Sequence, residues 1–295
     1  MKNDSIVVGL GSAGLMVDYY KNKIIKSHAK AYNLHPNFNL TCSVDKKKSA
    51  RELFKKKYNK PSYPNFNFKL KNSSFVASIC CPTKFHKKCI NQLLIKFKPK
   101  VILCEKPIAQ TLNDAKLILD ICKKKKIKIF VNYTRVAEPI FKKIKLKIKN
   151  SKNFTGKVIY NNGFLNNGSH YFNLMTFLFG RFTKYQNLKI ISKFNNDVNL
   201  NVNLIFERAS IDFNYKKGSI SNDITLKNKN FYIKNYKKKF LLFNKKKISR
   251  VLNYYQYNIL NELNNYIRNK KSNSLCTGVQ AFKELKILNN IIKKK

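Results

Sequence analysis

The sequence predicts an α/β protein in which a doubly wound parallel sheet is followed by an α+β domain with a mostly antiparallel open sheet. Three features support this. A glycine-rich turn follows an apolar strand at residues 5–14, short continuous apolar runs recur up to residue 131, and apolar and polar residues alternate strictly beyond it. Continuous runs are typical of parallel strands buried on both faces, whereas alternation indicates a sheet with one solvated face. The predicted domains are residues 1–132 and 133–295, with a last helix over 279–294 that can pack back on the first domain.

The first domain is predicted to contain five strands with helices between them. The strands are the apolar runs at residues 6–8, 39–44, 75–79, 101–103 and 127–131. Helices are expected over residues 49–58, 84–97 and 111–123, where apolar residues recur every three or four positions. Thr111 precedes Asp114 by three residues, which is the spacing of a helix-capping box. Five such strands with right-handed crossovers form a nucleotide-binding sheet.

The second domain shows a different period. Residues 198–204, 211–215 and 224–226 alternate between apolar and polar side chains, which predicts antiparallel strands. Two helices are expected near the end of the chain. Their apolar stripes are Ile259, Leu260, Leu263 and Ile267 in one helix, and Phe282, Leu285, Leu288 and Ile292 in the other.

The glycine-rich turn between the first strand and the first helix predicts a dinucleotide site. Gly9 permits the tight turn, Gly11 lets the backbone approach a pyrophosphate at a helix N-terminus, and Gly14 lets helix and strand pack closely. Ser12 and Ala13 complete the loop and are expected to contact the cofactor. A bare match of this kind can also be a turn without a ligand. Its position after an apolar strand within a βαβ pattern favours the dinucleotide site.

Asp45, at the end of the second strand, is expected to accept hydrogen bonds from the adenosine ribose hydroxyls. It follows Gly14 by 31 residues, whereas the usual separation is about 20. The segment around residues 19–27 must therefore hold an insertion or a long first helix. Asp45 would repel a 2′-phosphate and favours NAD, while the lysines at 46–48 could attract one, which leaves NADP possible.

The chain carries a formal charge of +47, which raises the question of a nucleic-acid partner. Only six of its 61 basic residues are arginines, and the lysines cover the whole chain without forming a patch. Abundant Asn, Ile, Phe and Tyr with no Trp reflect A/T-rich codons, which favours solvated lysines over a nucleic-acid surface. The charge should still attract anionic cofactors and substrates.

The remaining composition favours a cytoplasmic protein. The sequence has no pattern of a signal peptide and no apolar stretch that approaches the roughly 20 residues of a membrane-spanning helix. Its seven cysteines form no paired CxxC spacing and mostly occupy apolar positions. We interpret them as reduced core residues, and we predict no metal site.

The sequence Glu105-Lys106-Pro107 directly follows the apolar run at residues 101–104. A lysine at the carboxyl end of a buried strand, in a sheet that carries a nucleotide, lies where ligand chemistry happens. This position predicts a nicotinamide-dependent oxidoreductase.

With the glycine loop, Glu105-Lys106-Pro107 and Gly168-Ser169-His170, the chain resembles the Gfo/Idh/MocA family of oxidoreductases. The resemblance spans nearly the full length and is weakest between residues 184 and 249. It implies a Rossmann domain followed by an open sheet that supports the substrate and often builds homo-oligomers. It also implies hydride transfer between NAD(P) and a hydroxyl-bearing carbon of a sugar, cyclitol or nucleotide-sugar.

The resemblance assigns roles to residues of the first domain. Lys106 would hydrogen-bond the reacting oxygen and favour its anionic character. Glu105 would lie against the nicotinamide ribose. The loop after the third strand would run beside the cofactor through Cys81, Pro82, Thr83 and His86. For His86, an ordinary polar helix residue is an equally good interpretation.

In the second domain, the resemblance makes His170 the acid/base. Asn166 and Asn173 stand where the family carries aspartates, and Asn166, Asn167 and His170 would face the substrate. An amide can orient an imidazole, but it cannot offset an imidazolium charge. The segment is therefore either a neutral variant of a working site or part of a protein that retains the nucleotide fold for binding or regulation without turnover.

Tyr133 and Arg135, just past the fifth strand, stand where the family lines its substrate cleft. Arg135 could pair with a carboxylate or phosphate of the substrate. It could equally begin a helix and pair with Glu138.

Overall fold

The computed structural model describes residues 2–70, 74–194, 197–218, 223–236, 240–249, 254–272 and 274–293. These residues form two compact units, one from Met1–Thr134 and Asn253–Lys283 and the other from Arg135–Leu252 and Glu284–Lys295. Of the limits predicted for the domains and the last helix, residues 1, 294 and 295 lie outside the described residues.

The bounds of the regular elements follow the chain order. The strands are β1 (Asn3–Val8), β2 (Phe38–Val44), β3 (Ser62–Tyr63), β4 (Phe75–Ile79), β5 (Val101–Cys104), β6 (Lys128–Val131), β7 (Phe154–Tyr160), β8 (Phe182–Phe194), β9 (Asp197–Phe206), β10 (Ala209–Tyr215), β11 (Ile224–Lys227), β12 (Tyr232–Tyr236), β13 (Phe240–Phe243), β14 (Lys246–Ser249) and β15 (Cys276–Thr277). The α-helices are α1 (His28–Leu34), α2 (Lys48–Tyr58), α3 (His86–Lys96), α4 (Leu112–Lys124), α5 (Pro139–Lys147), α6 (Ser169–Phe179), α7 (Tyr255–Asn269) and α8 (Gly278–Lys293).

The first unit is built on a sheet with the strand order β3-β2-β1-β4-β5-β6-β15. Its strands pair in parallel except β15, which runs antiparallel to β6. The strand order reverses between β1 and β4, so the crevice beyond the carboxyl ends of these strands is where such sheets bind ligands. The predicted doubly wound parallel sheet is confirmed. The strands β3 and β15 were not predicted, because two residues are too few for a recognisable pattern.

Two of the helices beside this sheet, α1 and α4, begin at a residue whose side chain accepts a hydrogen bond from the first turn. Thr111 caps α4, and its hydroxyl accepts a hydrogen bond from the Asp114 N–H at 3.0 Å, which confirms the predicted cap. On α4, the buried residues Ala115, Ile118 and Cys122 recur at three- and four-residue spacing, so this face of the helix is covered by the unit.

Residues 253–283, which the sequence predicts to lie in the second domain, belong to the first unit of the structure. Cys276 pairs with Val131 across β15 and β6, and the Tyr266 ring lies 4.8 Å from that of Phe130. Gln256, which is fully buried, also lies on α7. An apolar stripe shows that a helix is covered but not by which sheet, so the sequence pattern did not reveal this assignment.

The second unit contains a sheet with the order β14-β13-β12-β11-β7-β10-β9-β8. Its strands pair antiparallel apart from β7 and β10, so the predicted mostly antiparallel sheet is confirmed. The alternating apolar residues of β9 and β10 enter one core with α6, among them Leu204, Phe213 and Met175. The Arg208 guanidinium donates to the carbonyl oxygens of Ile148 at 2.8 Å and Lys149 at 2.6 Å, at the C-terminal end of α5.

Within the described ranges, none of the helices has the length and apolar character that crossing a bilayer demands.

Candidate functional site

The three glycines of the glycine loop differ in the space around them. Gly9 has a φ of 94°, and a Cβ there would overlap the backbone of Cys81. A Cβ on Gly14 would overlap the carbonyl oxygen of Gly9. Gly11 differs, because an added Cβ would meet no atom within 4 Å, and both Gly11 and Ser12 are exposed. Two glycines are therefore required by packing, while the third leaves open space beside the backbone where a pyrophosphate could approach.

The first helix is split after this loop. The N–H groups of His28 and Ala29 donate to the carbonyl oxygens of Ala13 at 2.9 Å and Gly14 at 3.1 Å. A continuous α-helix joins residues four apart in this way, whereas these pairs are fifteen apart in sequence. Helix α1 thus continues the turn begun at the glycine loop, and eleven extra residues loop out. Of the two predicted possibilities, the structure shows the insertion, which accounts for the long interval before Asp45.

The insertion is anchored by a buried carboxylate. Asp18, only 1% exposed, accepts hydrogen bonds from the N–H groups of Lys26 at 2.6 Å and Ser27 at 2.9 Å. The Lys30 ammonium donates to the carbonyl oxygen of Asn22 at 3.1 Å. Ser27 then caps α1, with its hydroxyl accepting from the Lys30 N–H at 3.3 Å. These contacts let the helix resume in register, so the glycine loop keeps its shape despite the insertion.

Asp45 lies at the end of β2, as predicted, beside the glycine loop. Its Oδ2 accepts a hydrogen bond from the Leu10 N–H at 2.6 Å, and its Oδ1 accepts from the Lys47 N–H at 2.8 Å. The Arg51 guanidinium donates to the carbonyl oxygens of Asp45 at 2.9 Å and Lys46 at 2.7 Å. The carboxylate is therefore fixed at the edge of the loop, where ribose hydroxyls of a dinucleotide would be recognised.

A cavity of about 270 Å³ opens between Asp45 and the loop after β4. Its size is near the lower end of small-molecule sites, about 300 Å³. Four predicted cofactor residues line it, namely Gly9, Asp45, Cys81 and Pro82. Lys46, which the sequence places beside Asp45, also lines it. Sequence reasoning missed other lining residues, which include Pro64, Phe66, Phe85, Lys88, Cys89 and Gln92. The segment around Pro64 follows the two-residue strand β3, so no apolar pattern marked it.

The side chain of His86 packs under the loop that follows β4 and supports it. This side chain is fully buried, and its Nε2 lies 2.9 Å from the Cys81 carbonyl oxygen. Its Nδ1 lies 3.2 Å from the carbonyl oxygen of Ile108 and 3.3 Å from the Cys104 sulfur. Burial lowers the pKa of His86 and keeps the ring neutral. Both ring nitrogens face protein atoms, so His86 supports the loop formed by Cys81, Pro82 and Thr83 from below.

Glu105, at the end of β5, lies in a polar network. His28 Nε2 donates to Glu105 Oε1 at 2.9 Å, and Asn132 Nδ2 donates to the same oxygen at 2.6 Å. Asn132 Nδ2 also donates to Gln256 Oε1 at 2.9 Å, and Ser78 Oγ lies 2.9 Å from His28 Nδ1. The network joins α1, the ends of β4, β5 and β6, and α7. His28, Asn132 and Gln256 carried no sequence signal, because their partners lie 27 to 124 residues away in the chain.

The network keeps Glu105 ionised. Burial by itself would raise the pKa of this carboxyl, but the hydrogen bonds from His28 and Asn132, together with the positive charge of Lys106, hold the pKa below its usual range. Lys106 itself is half-buried and follows Glu105 into a cis peptide bond with Pro107. The predicted Glu-Lys-Pro turn thus presents a fixed carboxylate and an ammonium group at the carboxyl end of a central strand.

Tyr133 and Arg135 belong to different units. Tyr133 is 3% exposed in the first unit, where its N–H donates to the Val131 carbonyl oxygen at 2.9 Å. Arg135, in the second unit, donates to the Tyr171 hydroxyl at 2.8 Å, and its guanidinium carbon lies 4.3 Å from the centre of the Tyr171 ring. Sequence reasoning weighed a substrate anion and Glu138 as partners of Arg135, and it missed Tyr171.

His170 is the second residue of α6 and follows a π-helical turn at Phe164–Gly168. Such turns are frequent at functional sites. The exposed Asn166 side chain donates to the Asn162 carbonyl oxygen at 3.0 Å, and the Asn166 N–H donates to Asp197 Oδ2 at 2.8 Å. Asn167 Oδ1 accepts from the Asn161 N–H at 3.3 Å. The segment before His170 is therefore held by its own backbone and by β9.

Asn173 is buried one turn beyond His170 on the same helix. Its Nδ2 donates to both carboxylate oxygens of Glu284, at 3.0 and 2.9 Å. An aspartate at this position would place a second carboxylate against Glu284, so the amide is what this pairing requires. Among the described residues, no group of three or more His, Cys, Asp and Glu side chains is arranged to hold a metal ion.

Known proteins resemble this chain in sequence over part of its length and in fold over nearly all of it. Residues 20–133 match the model of the oxidoreductase family with an NAD-binding Rossmann fold, the Gfo/Idh/MocA family. The glycine loop lies before the matched range, which begins within the insertion. No match to this sequence was found among curated proteins.

Solved structures are similar over nearly the whole chain. An aldose-aldose oxidoreductase from Caulobacter crescentus, complexed with glycerol, is 14% identical with a TM-score of 0.78, over 99% of this chain and 97% of that one. An oxidoreductase from Agrobacterium radiobacter in complex with NAD+, L-tartaric acid and magnesium is 12% identical with a TM-score of 0.73, covering 98% and 95%. The WlbA dehydrogenase from Bordetella pertussis, in complex with NADH and UDP-GlcNAcA, is 14% identical with a TM-score of 0.74, covering 99% and 96%.

At these identities the solved structures show the fold, and the family match covers residues 20–133 of the 295. The resemblance to Gfo/Idh/MocA oxidoreductases is confirmed, and the first unit carries the NAD-binding Rossmann fold of that family. NAD, the cofactor expected from Asp45 and the glycine loop, is the one named in the family description.

Proposed function

We propose that this chain is an NAD(P)-dependent oxidoreductase that transfers hydride to or from a hydroxyl-bearing carbon of a sugar, cyclitol or nucleotide-sugar. The proposal is supported by the open space at Gly11, which follows β1 at the point where the strand order reverses. It is also supported by Lys106, which lies at the carboxyl end of β5. Two similar structures are an aldose-aldose oxidoreductase and a dehydrogenase complexed with a UDP-sugar, which supports this substrate class.

The first unit fits a dinucleotide. Gly11 and the following N–H groups would hold the pyrophosphate, and Asp45 with the adjacent cavity would hold the adenosine. When bound, the nicotinamide supplies the chemistry of hydride exchange. Because the Asp45 carboxylate is fixed at the ribose end, we propose NAD as the preferred form, with Lys46 leaving NADP possible.

Lys106 would stabilise the substrate oxygen. An ammonium group aimed at an oxygen that gains negative charge favours the alkoxide-like transition state, most strongly where water is excluded. The Glu105 carboxylate beside it is fixed by His28 and Asn132, so the turn that carries Lys106 is held from below. His170 would exchange the proton of the substrate hydroxyl, because an imidazole titrates near neutral pH.

A second candidate function is cofactor or ligand binding without turnover. The observation that favours it lies around His170, where Asn166 bonds to its own backbone turn and Asn173 bonds to Glu284. Neither amide can offset a positive charge on the imidazole. A homo-oligomer is a further expectation from the resemblance.

The cofactor is tested by thermal unfolding with NAD, NADH, NADP and NADPH. A ligand at 100 times its Kd stabilises the folded form by about 2.7 kcal/mol, a shift on the order of 5 °C for a protein of this size. We expect the larger shift with NAD or NADH. No shift with any of the four would contradict the proposal.

Turnover is tested by following reduced nicotinamide absorbance across aldoses, cyclitols and UDP-sugars. Lys106→Ala should lower kcat/KM by about 10²- to 10³-fold, because the contact to the transition state is lost. Lys116→Ala, which removes an exposed lysine of α4, is the matched control and should leave turnover unchanged. Cofactor binding with no turnover on any substrate would favour the second candidate.

A further inference from the structure

Two thiols line the cavity beside Asp45 and have no part in the proposed reaction. Cys81 follows β4, Cys89 lies on α3, and the Cys81 S–H donates to the Cys89 sulfur at 3.5 Å. Both side chains are partly exposed to the cavity, whereas the other five cysteines of the chain are buried. A close pair of accessible thiols in a ligand cavity is the arrangement of a reactive site, since thiols that serve only packing are enclosed.

The surroundings of the two thiols shift their pKa values in opposite directions. The hydrogen bond from Cys81 lowers the pKa of Cys89, as do the positive charges of Lys46 and Lys88, against the opposing effects of burial and the Asp45 carboxylate. The same hydrogen bond and burial raise the pKa of Cys81. Cys89 is thus the more acidic thiol and the better nucleophile of the pair, and Cys81 holds its proton more firmly.

We propose that Cys89 and Cys81 form a modification site for hydroperoxides. The Cys89 sulfur attacks the distal peroxide oxygen, the O–O bond breaks, and the remaining fragment leaves as an alcohol, or as water when the oxidant is hydrogen peroxide. The Cys81 sulfur then attacks the Cys89 sulfenic acid, the S–S bond forms, and the hydroxyl leaves as water with the Cys81 proton. In sum, two thiols lose two electrons and two protons, and one hydroperoxide is reduced.

The disulfide would change the cavity. The sulfur atoms, now 3.5 Å apart, would approach to about 2.05 Å and draw α3 toward the loop after β4. The backbone of Cys81 also packs against Gly9, so this movement would be transmitted to the glycine loop. We expect weaker dinucleotide binding by the oxidised protein, a consequence that rests on the proposed function.

Peptide mapping of the full-length chain tests the site without any cofactor. Trypsin cleaves after Lys84 and Lys88, so Cys81 and Cys89 fall in separate peptides, residues 72–84 and 89–96. After stoichiometric hydrogen peroxide, we expect these two peptides to appear as one disulfide-linked species that dithiothreitol separates. Two of the seven thiols should be lost. Because Cys80 shares a peptide with Cys81, the linked species should be absent in Cys81→Ser.

The variants assign the two steps. In Cys81→Ser, a sulfenic acid should persist on Cys89 and react with dimedone, whereas Cys89→Ser should show neither product. Iodoacetamide should label Cys89 at least about tenfold faster than the buried Cys122. Persistence of the linked species in Cys81→Ser, oxidation spread evenly over the cysteines, or equal labelling of Cys89 and Cys122 would overturn the proposal. Fragmentation of the linked species from the unmodified sequence distinguishes Cys80 from Cys81 as the partner of Cys89, so the site can be assigned even where a serine variant does not fold.

Failure of the site and failure of the function are distinguishable. If the linked species forms and the dissociation constant for NAD rises about tenfold on oxidation, both proposals hold. If it forms while neither redox state binds a dinucleotide, the thiol site stands and the proposed function fails. If the reduced protein binds NAD and peroxide yields no linked species, the thiol site is wrong and the function stands.

Discussion

The end of β5 in the first unit carries an ionised carboxylate, whereas the segment around His170 in the second unit carries neutral amides where carboxylates were expected. Glu105 remains an ionised carboxylate because His28 and Asn132 hydrogen-bond to it. At Asn166 and Asn173, by contrast, amides stand where the family resemblance implies aspartates, and Asn173 binds Glu284. The part of the chain that would hold the cofactor keeps its expected charges, while the part that would move the proton does not. Cofactor binding and turnover can therefore be separated experimentally in this protein.

The largest effect on stability is expected at the glycine loop, where Gly14 is required by packing and Gly11 borders the space proposed for the ligand. Gly14→Ala should lower the free energy of unfolding by about 4 kcal/mol, because the new methyl group overlaps the Gly9 carbonyl oxygen. Gly11→Ala is the matched control and should leave the melting temperature unchanged, because its methyl group meets no protein atom. Chemical denaturation of both variants measures this difference.

Gly11→Ala should nevertheless abolish most of the thermal shift produced by NAD, since the methyl group occupies the space proposed for the pyrophosphate. Isothermal titration measures the affinity directly. If Gly11→Ala binds NAD as well as the original protein, the pyrophosphate does not lie at this loop.

The second largest effect on stability is expected in the hydrogen-bond network around Glu105. His28→Ala removes a hydrogen bond to a carboxylate and leaves a cavity at the start of α1, which should cost about 3 kcal/mol of unfolding free energy. Turnover should fall as well, because Lys106 adjoins Glu105. A variant that unfolds like the original protein would show that this network does not stabilise the first unit.

The same network predicts a pH dependence. The pKa of Glu105 in the folded protein lies below its ordinary value of 4.5, so its contribution to stability is complete above that pH and is lost as the pH falls through the folded pKa. Glu105→Gln keeps the acceptor oxygen but not the charge. Between about pH 5 and pH 3, its melting temperature should fall less steeply than that of the original protein. Equal slopes would exclude Glu105 as a source of acid sensitivity.

A smaller effect is expected at Asn173. Asn173→Asp places two buried carboxylates about 3 Å apart, so one must bind a proton, at a cost of about 2 kcal/mol near neutral pH. The loss should diminish as the pH falls toward the ordinary carboxyl range. Adding Glu284→Gln restores a carboxylate–amide pair and should recover the stability, which a double-mutant cycle measures. Additive effects would mean that the two side chains do not interact in solution.

The smallest effect on stability is expected at Asn166, which is exposed. Asn166→Asp should cost about 0.5 kcal/mol through loss of its hydrogen bond to Asn162. If the neutral segment weakens proton transfer, the added charge should raise kcat, on the order of tenfold. Asn166→Ala removes the amide without adding charge and serves as the control. Equal kcat values for the aspartate and alanine variants would show that the missing charge does not limit the reaction.

Much of the first unit could be predicted because its signals are local. The apolar runs of β1, β2, β4, β5 and β6, the cap at Thr111 and the glycine spacing each depend on a few adjacent residues. The assignment of α7 to the first unit could not be predicted, since an amphipathic stripe does not specify its partner. The partners of Glu105 and Asn173 were missed for the same reason, because they are 27 to 111 residues away.

The sequence by itself determined where most strands of the first unit lie along the chain, the glycine loop and the position of Lys106 after a buried strand, because backbone preferences and apolar periodicity act over short distances. Only the tertiary structure decided that eleven residues loop out of the first helix, that Gly11 borders open space while Gly14 does not, and that two thiols meet beside Asp45. Each of these depends on atoms brought together by folding, which no local pattern records.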